Sequence, residues 1–271
     1  MAVATGYETA PHRPLRLSVV MPVYNEERTV ETSIARVRSV LDDVELVVVN
    51  DASRDGTAGI LERLHGEGAI HQLIHQPHNQ GKGAAVARGI QAATGDVIVV
   101  QDADLEYDPR DLPRLMEPIL DGRADAVFGS RFTGSPQRVL YFWHRVGNGL
   151  LTLVSNMFTN VNLSDMETCY KMVRADLMKS LPLRSTRFGI EPELTARLAQ
   201  AGARIYEVPI SYSGRTYAEG KKIGWRDGIA AFWHIVSYNT FGPRPPRYAP
   251  ALAGSVAPSP LPLPSPAVPS E

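Results

Sequence analysis

Between residues 15 and 131, short apolar runs alternate with stretches whose apolar residues recur every three or four positions. The run LRLSVVMPVYN is followed by Val30, Ile34, Val37 and Leu41 at helical spacing. Asn25 is placed to cap that helix, and Glu26 and Glu27 suit its positive end. VELVVVND, AIHQLIH, DVIVVQDAD and ADAVFGSR continue the strand series. Helices are predicted at about 57–65, through AAVARGIQAA and through DLPRLMEPILDG. Alternation of this kind predicts an α/β fold with a mostly parallel central sheet and helices on both faces. Ligands of such sheets bind beyond the carboxyl ends of the strands. Asn25, Asp51, Asp102, Asp104 and Arg131 all fall at those ends.

From about Arg138 the pattern changes to a long apolar segment, VLYFWHRVGNGLLTLVSNMFTN. TCYKMVR, FGIEPELTARLAQAG and RIYEVPISYS then read as strand, helix and strand, with Gly202 ending the helix. The predicted organisation is a flexible segment 1–14, one domain over 15–241 and a disordered tail over 242–271. Within the domain the change of pattern separates a first part, about 15–131, from a second, 132–241. Ten of the 21 prolines lie beyond Phe241, in a composition that does not build a packed core.

Composition narrows the class. A formal charge of −1 excludes a global basic field for nucleic acid. The single cysteine, Cys169, excludes an internal disulfide framework and fits a reducing compartment. No stretch has the run of apolar residues that spans a bilayer, since the longest uncharged one is broken by Asn148, Asn156, Asn160 and Asn162. If membranes matter, the chain is expected to lie on one rather than cross it. Two segments suit it, Val139–Phe158 and IGWRDGIAAFWHIVSYNTF, and both also suit packed core.

The chemistry concentrates where the fourth strand runs into Asp102 and Asp104. Continued strand geometry points both carboxylates to one side, and alternation brings Glu106 to the same ion. Hard divalent cations, Mg2+ or Mn2+, take carboxylate and phosphate oxygens together. Gly81, Lys82 and Gly83 start a helix whose free amides attract negative charge, although Lys82 also fits a solvated helix start. No dedicated catalytic base stands out. A phosphate monoester needs none, because its oxygens already carry about −1.5 to −2 charge. Glu191 and Glu193 are candidates if the acceptor is an alcohol.

Taken together, MPVYNEERTV, VNDASRDGT, NQGKGAAVARG, DADLEYDP and GSRF resemble the family 2 glycosyltransferases of GT-A fold. The later segments DMETCYKMVR, FGIEPEL and SGRTYAEGKKIGW are similar to the branch of dolichol-phosphate-mannose-synthase-like enzymes, over about residues 15–240. The resemblance implies a nucleotide-sugar pocket walled by Pro22, Tyr24, Asn25 and Glu26, with Asp51 on the base or ribose and Ser53 either there or capping a helix. It implies Asp102, Ala103 and Asp104 at the donor and metal, and Arg131 on phosphate. Arg145 is either a further basic contact or a surface arginine. Arg215, Lys221 and Lys222 form a loop over the two phosphates. The expected activity is inverting transfer of a hexose from GDP-mannose or UDP-glucose to a polyprenyl phosphate. The expected setting is the cytoplasmic face of a membrane, with a membrane-anchored helper protein open. A soluble acceptor, or a non-catalytic sugar-nucleotide scaffold, are the alternatives. No Gln-x-x-Arg-Trp motif of the processive synthases occurs.

Overall fold

The structure, a computed structural model, describes residues 15–41, 43–134, 138–139, 141–215 and 225–250. The expected segments 1–14 and 251–271, and Lys221 and Lys222, lie outside the described residues. Seven strands form one sheet: β1 (Leu17–Val23), β2 (Val44–Asn50), β3 (Gln72–His75), β4 (Val97–Val100), β5 (Ala126–Ser130), β6 (Lys171–Arg174) and β7 (Ile205–Pro209). Their order is β3-β2-β1-β4-β6-β5-β7, and every pairing is parallel except those of β6, which runs against both β4 and β5. Helices α1 (Val30–Val40), α2 (Thr57–Gly66), α3 (Lys82–Ala92) and α4 (Leu112–Leu120) connect the first five strands. Then come α5 (Phe142–Thr159), α6 (Ala175–Ser180), α7 (Ile190–Ala201) and α8 (Trp225–Thr240).

The register explains why one edge of this sheet carries the chemistry. Val20 pairs with both Val47 and Val100, where β4 stops, while β1 and β2 run on together to Val23 and Asn50, so the three parallel strands open toward one edge. Strands β2 and β4 are buried at every residue, as a sheet covered on both faces demands. The one acid inside β2, Glu45, lies toward the opposite edge. It accepts from Ser18 Oγ, from Thr94 N and Oγ1 at 2.6 and 2.7 Å, and from Gln72 Nε2 at 2.9 Å. Burial raises its pKa, but the hydrogen bonds from Ser18, Thr94 and Gln72 outweigh that and hold it at about 2 against an ordinary 4.5. A depressed folded pKa contributes stability that is complete above about 4.5 and lost as pH falls toward about 2. In denaturant titrations, Glu45→Gln is therefore expected to flatten the loss of stability over that window. At pH 7 it costs about 1–3 kcal/mol by leaving buried donors unpaired.

Four local expectations are corrected. Helix α1 starts at Val30 rather than at Asn25, which takes φ 54° in a left-handed turn. Strand β4 ends at Val100, and residues 101–106 turn away with Leu105 at φ 66°, so strand alternation does not align Asp102, Asp104 and Glu106. Free amides at the start of α3 are also not what the glycines provide. A Cβ on Gly83 would lie 2.3 Å from Ser185 O, so glycine there lets the 185–187 loop close onto the helix, where Thr186 O accepts from Ala84 N at 3.2 Å. The packed domain also continues past Phe241. Pro245 is buried, Tyr248 N donates to Ala201 O at 2.8 Å, and its hydroxyl meets Asp176 at 3.0 Å.

Candidate active site

Beyond the carboxyl edge of β4, two cations hold the acidic turn apart. Lys82, the first residue of α3, donates to Asp102 Oδ2 and to Glu191 Oε1, both at 2.8 Å. Its ammonium is buried, which lowers its pKa, yet Asp102, Cys169 and Glu191 more than compensate and it stays charged. On the other side, Arg215 Nη2 donates to Asp104 Oδ2 at 2.8 Å, while its Nε donates to Glu106 Oε1 at 3.0 Å. A two-residue bridge brings that arginine in from far along the chain. Tyr107 pairs with Tyr212, and Ser213 N donates to Glu106 O at 2.9 Å. The Tyr212 hydroxyl then donates to Glu106 Oε2 at 2.7 Å.

Arg131 is placed differently from the expected phosphate contact. It ends β5 and its guanidinium is gripped by Asp165, with Nε–Oδ2 at 2.6 Å and Nη2–Oδ1 at 2.7 Å. Asn148 on α5 takes a further bond at 3.2 Å, and the guanidinium lies 5.1 Å from the centre of the Tyr212 ring. The pair is a bidentate brace between β5, α5 and the turn before β6. Arg145 is exposed on α5 and stacks 3.7 Å over the Phe132 ring.

Other predicted residues serve the scaffold of the site. Asp51 is buried and spends its carboxylate on Gln76 Nε2, Gln80 N and Gly81 N at 2.7–2.8 Å, fixing the approach to α3. Asn25 Oδ1 accepts from Arg54 N at 2.8 Å, and Ser53 Oγ accepts from Asn25 N at 3.0 Å, so these two tie the β1 and β2 turns together. Glu26 binds Thr29 Oγ1 at 2.8 Å. Pro22 and Tyr24 are half-buried on the same turn, and Ala103 is packed into the core. Glu193 is fully buried, accepts from Arg184 N and Ser185 N, and so stands outside the site, whereas Glu191 belongs to it through Lys82.

With this geometry in hand, residues 18–181 match the Glycosyl transferase family 2 profile, more than half of the chain. The chain is a family 2 glycosyltransferase. The undecaprenyl-phosphate mannosyltransferase of Micrococcus luteus is 30% identical over 236 residues, covering 81% of this chain and 96% of that one. The low-salt glycan biosynthesis hexosyltransferase Agl6 of Haloferax volcanii is 33% identical over 218 residues, 78% of this chain, which spans only 51% of Agl6. Among solved structures, glucosyl-3-phosphoglycerate synthase of Mycobacterium tuberculosis, in complex with Mn2+, UDP and glucosyl-3-phosphoglycerate, superposes with a TM-score of 0.62. At 21% identity over 82% of this chain and 78% of that one, it establishes a shared GT-A fold.

The acidic turn of this glycosyltransferase fits a cation only in part as expected. Among the described residues, no three His, Cys, Asp or Glu side chains gather as a ligand set. The oxygens of Glu106 are taken by Arg215 and Tyr212, which makes it the anchor of the arginine in this structure. Asp102 and Asp104 remain. Burial, then the neighbouring charges of Asp102 and Glu106, push Asp104 up to about 7 despite Arg215. Two carboxylates completed by donor phosphate oxygens suit magnesium or manganese.

The turn 163–171 in the glycosyltransferase was legible as a motif, DMETCYKMVR, but not as part of the site. Each of its elements is nailed down. Leu163 N donates to Asn156 Oδ1, Ser164 N and Asp165 N to Glu207, Met166 N to Thr152 Oγ1 and Cys169 N to the Tyr107 hydroxyl. Lys171, buried, donates to Met166 O at 2.7 Å and Thr168 O at 2.6 Å. Burial lowers its pKa to about 8 against the pull of Glu191, Glu167 and Asp165.

Proposed function

We propose that the enzyme moves a hexose, mannose or glucose, from a nucleotide diphosphate sugar to a polyprenyl phosphate at a membrane surface. The observation that carries this is the inverted polarity of α5. Its inward face is polar: Asn148, Thr152 and Asn156 bond to Arg131 and to the 163–168 turn, and the buried residues of the helix are Thr152 and Ser155. Its outward face exposes Phe142, Trp143, Val146, Leu150, Leu153 and Met157. Helix α8, packed against it, exposes Ile229, Phe232 and Trp233. A helix that turns polar residues inward and apolar ones outward suits a lipid interface, where its aromatic rings sit at headgroup level. No helix among the described residues is long and apolar enough to cross a membrane. The likeness to the M. luteus polyprenyl-phosphate enzyme over nearly its whole length supports the same acceptor class.

Asp102 and Asp104 would hold Mg2+ or Mn2+ with the donor diphosphate. The ion supplies charge neutralisation to the departing nucleoside diphosphate. Arg215 is anchored through Nε by Glu106, so Nη2 can exchange Asp104 for a phosphate oxygen without losing its position. Lys82 adds a buried ammonium beside Asp102. An acceptor phosphate oxygen attacks the anomeric carbon, the bond to the diphosphate breaks with its electron pair, and the configuration inverts. Arg145, exposed at the border of the apolar face, is placed for a lipid phosphate. Arg131, held by Asp165, braces rather than grips.

Nucleoside diphosphate release, measured with GDP-mannose and UDP-glucose, is expected only when a polyprenyl phosphate and Mg2+ or Mn2+ are present. The purified chain is expected to float with anionic liposomes, and a Trp143→Ser, Leu150→Ser, Trp233→Ser variant to remain in the soluble fraction. Release with soluble acceptors and no flotation would redirect the acceptor to a sugar, metabolite or protein. Flotation only after a membrane-anchored partner is added would assign the apolar face to that helper.

A further inference from the structure

One carboxyl group in the site has no task within the protein. The backbone around Glu167 is the most heavily fastened segment near the site, yet its own Oε1 is enclosed and has no hydrogen-bond partner among the described residues. The same is true of Thr168 Oγ1, next in the chain. Lys171 does not rescue the acid. It turns its ammonium to the carbonyls on either side of Glu167, and no ion pair joins the two side chains among the described residues. The charges that Glu167 feels are mixed, with Glu191 and Asp165 repelling it and Lys171 and Arg131 attracting it. Of these neighbours, Glu191 belongs to the bridge with Lys82, and Arg131 and Asp165 form the brace, the two arms of the site.

Buried polar atoms without partners are rare in folded proteins and cost stability. Thr168 is sealed from solvent, but Glu167 is only half-buried, so its carboxyl group can meet something from outside. A phosphate would be repelled by the carboxyl group. A cation would need further acidic ligands, and no such set occurs among the described residues. A sugar answers the requirement, because its hydroxyl donates to a carboxylate oxygen. We propose that Glu167 binds a hydroxyl of the donor hexose and so selects which epimer is transferred. This rests on the donor being a nucleotide sugar, as proposed above. Burial first, and then Glu191, also raise the Glu167 carboxyl to about 7, against the attraction of Lys171 and Arg131. Discrimination by hydrogen bonds of this kind is far steeper than that by shape alone, since the wrong epimer leaves the buried group unpaired.

The test is equilibrium binding, which needs no acceptor. Calorimetry with Mg2+ compares GDP, GDP-mannose, GDP-glucose, UDP, UDP-glucose and UDP-galactose on wild type, Glu167→Gln and Thr168→Val. The gain in affinity of each nucleotide sugar over its own nucleoside diphosphate isolates the sugar contribution. Glu167→Gln is expected to change the ratio of these gains between epimers by about tenfold or more, equivalent to ~1.4 kcal/mol. Nucleoside diphosphate affinity should stay within about twofold, and the melting temperature should hold or rise, because a repelled acid has been removed. Thr168→Val, at a residue sealed from solvent, should leave the ratio unchanged. If wild type distinguishes epimers and Glu167→Gln does not alter the ratio, the assignment is wrong while the donor class stands. If wild type binds no nucleotide sugar better than its nucleoside diphosphate, the parent function falls with it.

Discussion

Asp104→Asn is expected to lower kcat/KM for hexose transfer by about 10^3-fold while leaving the protein at least as stable as wild type. The two halves of that expectation come from the same surroundings. Asp104 is buried beside Asp102 and Glu106, and its ionised form is held in place by Arg215 at 2.8 Å and by the Glu106 backbone N–H at 3.2 Å. Replacing the carboxylate with an amide relieves repulsion in the free protein but removes one of two groups able to hold a divalent ion. A residue that serves folding would show the opposite pairing, a drop in melting temperature with activity lost in proportion. Thermal unfolding and nucleoside diphosphate release on the same preparation separate the two. Full activity in the variant, or a fall in melting temperature of more than a few degrees, would remove Asp104 from the reaction.

Asp165→Ala is expected to cost about 3–5 kcal/mol of stability, the largest effect of any single substitution considered. Asp165 is fully enclosed and makes two of the bonds that hold the Arg131 guanidinium, so its removal strands a buried cation. Arg131→Met alone strands the acid and should cost a comparable amount. The double variant Arg131→Met, Asp165→Leu should recover much of the loss, since replacing both charges by apolar groups removes the uncompensated one. Chemical denaturation of the four proteins gives the coupling directly. If Arg131→Met keeps wild-type stability and loses only turnover, the guanidinium belongs to a substrate phosphate and not to the brace.

How far the site could be read from the chain depended on sequence distance and backbone handedness. The valine-rich runs at residues 44–50 and 97–100 announce doubly covered strands, and the acids that follow them fall at the correct edge. The left-handed residues Asn25 and Leu105 are different, because neither is glycine and nothing in the pattern marks them. They decide where α1 starts and where Glu106 meets Arg215. Partners such as Arg131 and Asp165, 34 positions apart, or Asp104 and Arg215, 111 apart, are set by tertiary packing alone. Reading each arginine by its family role therefore missed that Asp165 already occupied one of them. The stripe on α5 was visible, but apolar spacing does not say which face turns inward. That was decided by Asn148, Thr152 and Asn156 having partners to find.

One helix faces outward with Leu150 and Trp143 and inward with Asn148 and Thr152, so on the proposed membrane binding the reacting carbon and the hydrocarbon would lie on opposite sides of the same rod. An α-helix with its side chains is about 10–12 Å across. A long-chain alcohol phosphate that stayed at its normal depth would fall short of the sugar by roughly that thickness. On that proposal the enzyme would draw the headgroup and its first isoprene units up around the flank of the rod. Water-soluble analogues with very short tails should therefore turn over without any bilayer, and chain length should govern affinity more than rate.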